Sequence, residues 1–224
     1  MRLVLWDIDH TLIDTRGVGR ELSAAAFEAA TGVPMREQAK IDGITEPVIF
    51  RETAKLHGLV TDRNDFERFA HALEEQHLKR APELRERGWA LPGAAEALGA
   101  LAAAGVRQTV VSGNIQGVAK VKLSVFGLDA HIDWEIGAYG EDADERADLV
   151  RLTLDRAGVA AADAILIGDT PADVEGGRAH GVQVVAVASG KSSEADLKAA
   201  GADAALPDLR DAGLLVQLVQ DGIR

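Results

Sequence analysis

The chain has 224 residues and a mass of 23.6 kDa, enough for one ordinary domain carrying a sizeable insertion and a core that needs no covalent staples. It contains no cysteine, which excludes disulfides, thiolate metal sites and a cysteine nucleophile. With 24 basic and 36 acidic residues the net charge is −12, and no basic stripe interleaved with aromatics offsets it, which argues against nucleic acid as a partner.

A small anionic substrate would then need positive charge built into its site, from a cation or from one or two placed basic side chains. The opening MRLVLWDID puts Asp7 and Asp9 where a signal peptide needs apolar residues, and no apolar run reaches the length of about 18 residues that spans a bilayer. The expectation is a cytoplasmic protein, monomer or homodimer, with no membrane partner. Aromatics are only 4% of the chain, so alanine, leucine and valine are expected to do the packing.

In chain order, strand-like apolar runs fall at 2–6, 106–111, 132–136 (the weakest), 164–167 and 182–188, each short enough for a buried parallel strand. Helix punctuation separates them. Pro92 and Gly105 bracket an alanine-rich helix, Asn114 and Gly127 a second, and Gly158 closes a third. Ser193 with Asp196 opens another ahead of Gly201. Strand and helix in alternation predict an α/β fold on an open parallel sheet. The stretch from Gly17 to Gly88 breaks the rhythm: it has no strand signal but helix patterns at 20–30, 46–57 and 62–80, the last running on toward Arg87. It reads as an α-helical subdomain, 17–88, inserted into a core made of 1–16 and 89–224.

The first strand ends in Asp7-Ile8-Asp9-His10-Thr11. Residues two apart on an extended segment share a face, so Asp7 and Asp9 are expected to look into one space beyond the strand's carboxyl end, where open α/β sheets bind ligands. The run 164–167 leads into Gly168-Asp169-Thr170-Pro171-Ala172-Asp173. Thr170 and Asp173 alone would suit a helix cap, but Asp169 is not required by the helix. If the two strands are neighbours, Asp7, Asp9, Asp169 and Asp173 converge, and such a group needs a hard cation such as Mg²⁺ to neutralise it. The 106–111 run ends at Ser112-Gly113-Asn114, a hydroxyl and a bare backbone N–H at a helix start, equally suited to capping or to holding an anion. Arg146, ahead of a later helix, could give phosphate oxygens a fixed cation or sit in a surface charge run.

These four segments, DIDHTL, VVSGN, Arg146 and IGDTPAD, together resemble the haloacid dehalogenase-like hydrolase superfamily over nearly the whole chain, closest in appearance to its phosphoglycolate phosphatases. The resemblance implies a Rossmann-like core with a helical cap at the 17–88 insertion and a Mg²⁺-dependent hydrolase of a small phosphorylated metabolite. By the same likeness Asp7 is the nucleophile that forms an aspartyl-phosphate and Asp9 the general acid and base, its backbone carbonyl on the metal. Asp7, Asp169 and Asp173 complete the metal set, and Thr11, Ser112, Gly113, Asn114 and Arg146 bind phosphate. An acid at Asp9 distinguishes phosphatases, and the nearest rival, sugar phosphomutases, from dehalogenases. A catalytically idle binding protein on the same fold is the third reading.

Two features depart from the pattern. His10 stands where the family most often has glycine, either packing or touching substrate, and Arg146 replaces the commoner lysine, with Lys120 and Lys122 as alternatives. The cap segment Asp42-Gly43-Ile44-Thr45 resembles the specificity loop, which makes Thr45 and Arg51 candidate substrate contacts.

Overall fold

The computed structural model describes residues 2–222. In chain order the elements are β1 (Leu3–Trp6), β2 (Ile13–Asp14), α1 (Val18–Thr31), α2 (Glu46–Leu56), α3 (Arg63–Lys79), α4 (Ala81–Arg87), β3 (Trp89–Ala90), α5 (Ala94–Ala103) and β4 (Arg107–Val110). They continue with α6 (Gln116–Val125), α7 (Arg146–Ala157), β5 (Ala164–Gly168), α8 (Pro171–Arg178), β6 (Gln183–Val187), α9 (Glu194–Ala200), β7 (Ala204–Leu206) and α10 (Ala212–Asp221).

Five strands make a parallel sheet in the order β4-β1-β5-β6-β7. Alternation along β1 explains why it is central. Val4 and Trp6 face one apolar cluster with α5 and α10, while Leu3 and Leu5 face another with α7 and α8, all four fully buried. The chain leaves β1 for β4 on one side and returns to β5 on the other, so the switch point of the topology lies at the carboxyl end of β1. The expected neighbourhood of the strands at 2–6 and 164–167 is what forms.

Two parts of the sheet differ from the sequence reading. Residues 132–136 form no strand; they run irregularly along the open edge of β4. Asp133 N–H donates to Gln108 O at 2.8 Å and Thr109 Oγ1 to Asp133 O at 2.7 Å, covering the edge without a ladder. The fifth strand is instead β7, three residues of Ala-Ala-Leu too short and too poor in β-branched residues to announce itself.

Between β2 and β3 lie α1 to α4, which pack on a third cluster containing Phe27, Phe50, Phe66 and Phe69 and shared with Ile115 and Val118 of the core, with the Phe50 and Phe69 rings stacked at 4.7 Å. Four of the five phenylalanines are thus in the cap, while aliphatic residues fill most of the sheet's two faces. The helix read through 62–80 toward Arg87 is broken at Arg80, because Pro82 in the first turn of α4 has no N–H to continue the ladder. β2 and β3 pair antiparallel, Ile13 with Ala90 and Asp14 with Trp89, so the chain's exit to the cap and its return run side by side.

Candidate active site

Trp6 at the end of β1 stands in register with Ile167 of β5, and the Asp7 N–H continues the ladder to Ile167 O at 2.9 Å. The carboxylates that follow each strand therefore emerge at one level. One oxygen each from Asp7, Asp169 and Asp173 lies within 4.8 Å of the other two. Asp173 is fully buried and Asp169 nearly so. Gly190 makes this convergence possible, since a Cβ there would stand 1.8 Å from Asp169 Oδ2. Thr170 donates both its N–H and its hydroxyl to Asp173 Oδ2, at 3.0 and 2.7 Å. Asp173 therefore caps α8 and faces the cluster as well.

Burial pushes the Asp7 carboxyl above the ordinary carboxylate range, against the pull of Arg146. Burial, and then the charge of Asp7, do the same to Asp169. Arg146, at the start of α7, sends its Nη2 to Asp7 Oδ1 at 2.6 Å and to Asp173 Oδ1. It is buried, and its Nε has no partner. Three buried oxygen donors with one guanidinium between them carry more negative than positive charge. That donor set, all oxygen without histidine or sulfur, fits a hard divalent cation such as Mg²⁺.

Asp9 does not join this group with its side chain. The chain turns directly after it, with His10 in the left-handed region at φ 63°, so the shared face expected of an extended segment ends there. The Asp9 carboxylate instead receives Lys122 Nζ at 2.8 and 2.7 Å and Asn114 Nδ2 at 2.7 Å. Burial works to raise the Asp9 carboxyl, but Lys122 and Asn114 outweigh it and hold it below the usual range. Asn114 also donates to Ser112 Oγ at 2.8 Å and accepts from Lys122 at 2.7 Å, binding the ends of β1 and β4 to α6.

The remaining expected residues divide. Ser112, Gly113, Asn114 and His10 line the same cleft as Asp7, Asp9, Asp169 and Arg146. Thr11 does not; it is fully buried behind the carboxylates, its Oγ1 3.3 Å from Asp7 Oδ2 and 3.2 Å from Asp169 Oδ1. Thr45 and Arg51 do not line it either. Their polar atoms turn to the core residue Asp144, Thr45 Oγ1 to its carbonyl and Arg51 Nη2 to its carboxylate, both at 3.0 Å, outside the cleft. Lys120 is exposed over the Trp134 ring. Lys122, first considered only as a substitute for Arg146, is a second buried cation in its own right.

The cap closes over this space. Glu46 N–H donates to Gly113 O at 2.9 Å, an approach that only glycine allows, since a Cβ at Gly113 would lie 2.4 Å from Ile44 O. Lys191 of the core meets Asp42 of the cap at 2.9 Å. The cleft holds about 160 Å³, and the cap contributes Glu46 and His77 to its wall. Sequence reasoning missed both: an acid at a helix start reads as a partner of the helix dipole, and a single histidine within α3 carries no motif.

The profile of the haloacid dehalogenase-like hydrolases matches residues 4–187. The chain belongs to that family. Among relatives of this haloacid dehalogenase-like hydrolase, a phosphoglycolate phosphatase of Rhodospirillum rubrum is 36% identical over 134 residues, 58% of this chain and 54% of that protein. The tyrosine-protein kinase PtkA of Mycobacterium tuberculosis is 27% identical over 195 residues, 84% of this chain and 62% of that one. The matches thus span between half and two thirds of these relatives' own lengths. A putative beta-phosphoglucomutase from Bacteroides vulgatus superposes with a TM-score of 0.70 at 19% identity, over 100% of this chain and 90% of that one, and shares the fold of this hydrolase. No helix among the described residues is long and apolar enough to cross a membrane.

Proposed function

We propose that the protein is a Mg²⁺-dependent phosphatase that hydrolyses the phosphate monoester of a small metabolite through an aspartyl-phosphate on Asp7. The observation that carries this reading is the division of labour between two acids two residues apart. Asp7 lies with Asp169, Asp173 and Arg146, whereas Asp9 lies apart from that group with Lys122 and Asn114. One carboxylate stands in the place of a nucleophile and the other in the place of a proton carrier.

Asp7, Asp169 and Asp173 are the residues that would hold the cation, with the Asp9 carbonyl as a further donor. When bound, Mg²⁺ supplies charge that draws the phosphoryl oxygens and the Asp7 carboxylate together. An Asp7 oxygen then attacks phosphorus, and the bond from phosphorus to the ester oxygen breaks as the new one forms. Arg146, the Ser112 hydroxyl and the Gly113 N–H hold the equatorial oxygens.

Asp9 gives its proton to the departing alkoxide, then takes one from the water that attacks the aspartyl-phosphate. The ionised state favoured by Lys122 suits the second half directly. For the first half, an arriving phosphate dianion beside Asp9 raises its proton affinity. The cleft volume, close to that of cavities which hold a single benzene ring, favours a small leaving group.

The test is release of phosphate from p-nitrophenyl phosphate by the purified protein, dependent on Mg²⁺ and abolished by EDTA. Asp7→Asn abolishes turnover. In Asp9→Asn, mass spectrometry of the intact chain finds the phosphorylated enzyme accumulating, because this activated leaving group departs unprotonated while attack by water lacks its base. Undiminished turnover in Asp7→Asn sinks the reading.

A further inference from the structure

The cleft has a polar corner that the chemistry just described leaves unused. His77, on α3 of the cap, is 2% exposed, and its Nδ1 lies 2.8 Å from Leu73 O. A carbonyl oxygen only accepts, so the ring proton sits on Nδ1 and Nε2 presents a bare lone pair. That Nε2 is shielded from solvent and has no hydrogen-bond partner. Glu46, the first residue of α2, leaves its Oε2 in the same condition. Both residues line the cleft, and both feel the charges of Lys122 and Asp9. They therefore stand on the cap side of the acid that would protonate the leaving group. Buried polar atoms are rarely left unpaired, and two in one corner of a cavity mark the place of a ligand.

We propose that Glu46 and His77 select a leaving alcohol bearing a free hydroxyl group, as in a polyol or sugar phosphate, and reject one bearing a carboxylate or a second phosphate. This rests on the phosphatase reading of the same cleft. A hydroxyl gives its proton to His77 Nε2 and meets the Glu46 carboxyl with its oxygen or a second hydroxyl. A carboxylate has no proton for Nε2 and, at a pH above the value of about 7 to which burial raises Glu46, meets it as a like charge. An ammonium group could donate, but Lys122 already occupies the corner with the same sign. Burial, and then Lys122, hold the imidazole neutral by lowering its pKa to about 4, which keeps Nε2 an acceptor.

The experiment, at pH 8, compares 2-hydroxyethyl phosphate with 2-phosphoglycolate, which differ only in a hydroxymethyl against a carboxylate and carry no other hydroxyl, by kcat/KM and by calorimetric binding. The wild type is expected to favour the alcohol by about tenfold or more. Glu46→Gln, nearly isosteric, is expected to narrow that ratio by raising the efficiency of the carboxylate ester. His77→Phe narrows it by lowering that of the alcohol. A wild type that prefers the carboxylate, or a ratio that moves in neither variant, overturns the proposal. Hydrolysis of p-nitrophenyl phosphate by the wild type separates the two levels of inference. If it is absent with every divalent cation, the phosphatase reading falls, and the calorimetric ratio alone decides for or against the Glu46–His77 corner.

Discussion

Lys122 Nζ lies 2.7 Å from Asp9 Oδ2, joining a helix that starts beyond β4 to the turn beyond β1 across 113 positions of chain. The lysine is the more buried partner, its side chain 8% exposed against 36% for the aspartate. Its ammonium therefore depends on Asp9 and Asn114 for compensation. Lys122→Met is expected to lower kcat by roughly 10²-fold, since Asp9 loses the group that aims it. KM should change far less, because no phosphoryl contact is removed. Steady-state kinetics on p-nitrophenyl phosphate check this, and a variant with unaltered kcat would show that the pair is merely structural.

Removing one carboxylate from the acidic group should separate stability from cation binding. Asp169 has its folded pKa raised by burial and by Asp7. Its contribution to stability is thus present at low pH and lost as pH rises through the folded value. In EDTA at pH 8, Asp169→Asn is expected to melt higher than the wild type. In Mg²⁺ the order reverses, because the variant loses the cation-induced rise in Tm. Thermal melts under the two conditions suffice; an equal Mg²⁺ shift in both proteins would place the cation elsewhere.

Glu46 and His77 give opposite pH dependences. Burial raises Glu46 from 4.5 to about 7 in the folded protein, so its share of stability is present below 4.5 and disappears as pH climbs through 7. His77 is lowered from 6.5 to about 4, so its share is present above 6.5 and disappears as pH falls toward 4. Relative to the wild type, Glu46→Gln should gain stability between pH 5 and pH 8, and His77→Leu should gain it between pH 7 and pH 5. Each difference is on the order of 1–3 kcal/mol. Urea melts across that range in saturating Mg²⁺ read both slopes, and parallel curves would contradict them.

His10 holds a left-handed backbone, φ 63°, while its carbonyl accepts from Ser189 Oγ at 2.6 Å. That conformation suits glycine, so His10→Gly should change folding stability by less than about 1 kcal/mol despite deleting an imidazole. His10→Val should destabilise markedly, because a β-branched residue resists positive φ. Chemical denaturation of the two variants gives the comparison.

The parallel sheet and its acidic edge were legible because β1 and β5 are short, wholly apolar runs that end abruptly in aspartate, and a switch in winding direction forces such ends together. Arg146 was legible only as one of two readings, a fixed cation or a surface charge; as a charge among charges at 140–148 it gives no sign that it will be buried. Lys122 and Asn114 belong to a turn and a helix face whose rotation depends on packing with α3, which local sequence does not report. The cap residues were the hardest. Thr45 and Arg51 are candidate ligand contacts because Asp42-Gly43-Ile44-Thr45 resembles the family's specificity loop, but Asp144, almost a hundred residues away in sequence, claims both. Glu46, the next residue after Thr45, turns the other way into the cleft.

The two-residue ladder of β2 and β3 brings the outgoing and returning chain through one narrow neck. The segment between Asp14 and Trp89 thus leaves and rejoins the core at a ladder of its own, apart from the parallel one that sets β1 against β5. On the reading proposed above, the choice of substrate and the breaking of its bond are drawn from opposite sides of that neck: Glu46 and His77 lie within the segment, Asp7 and Asp169 outside it.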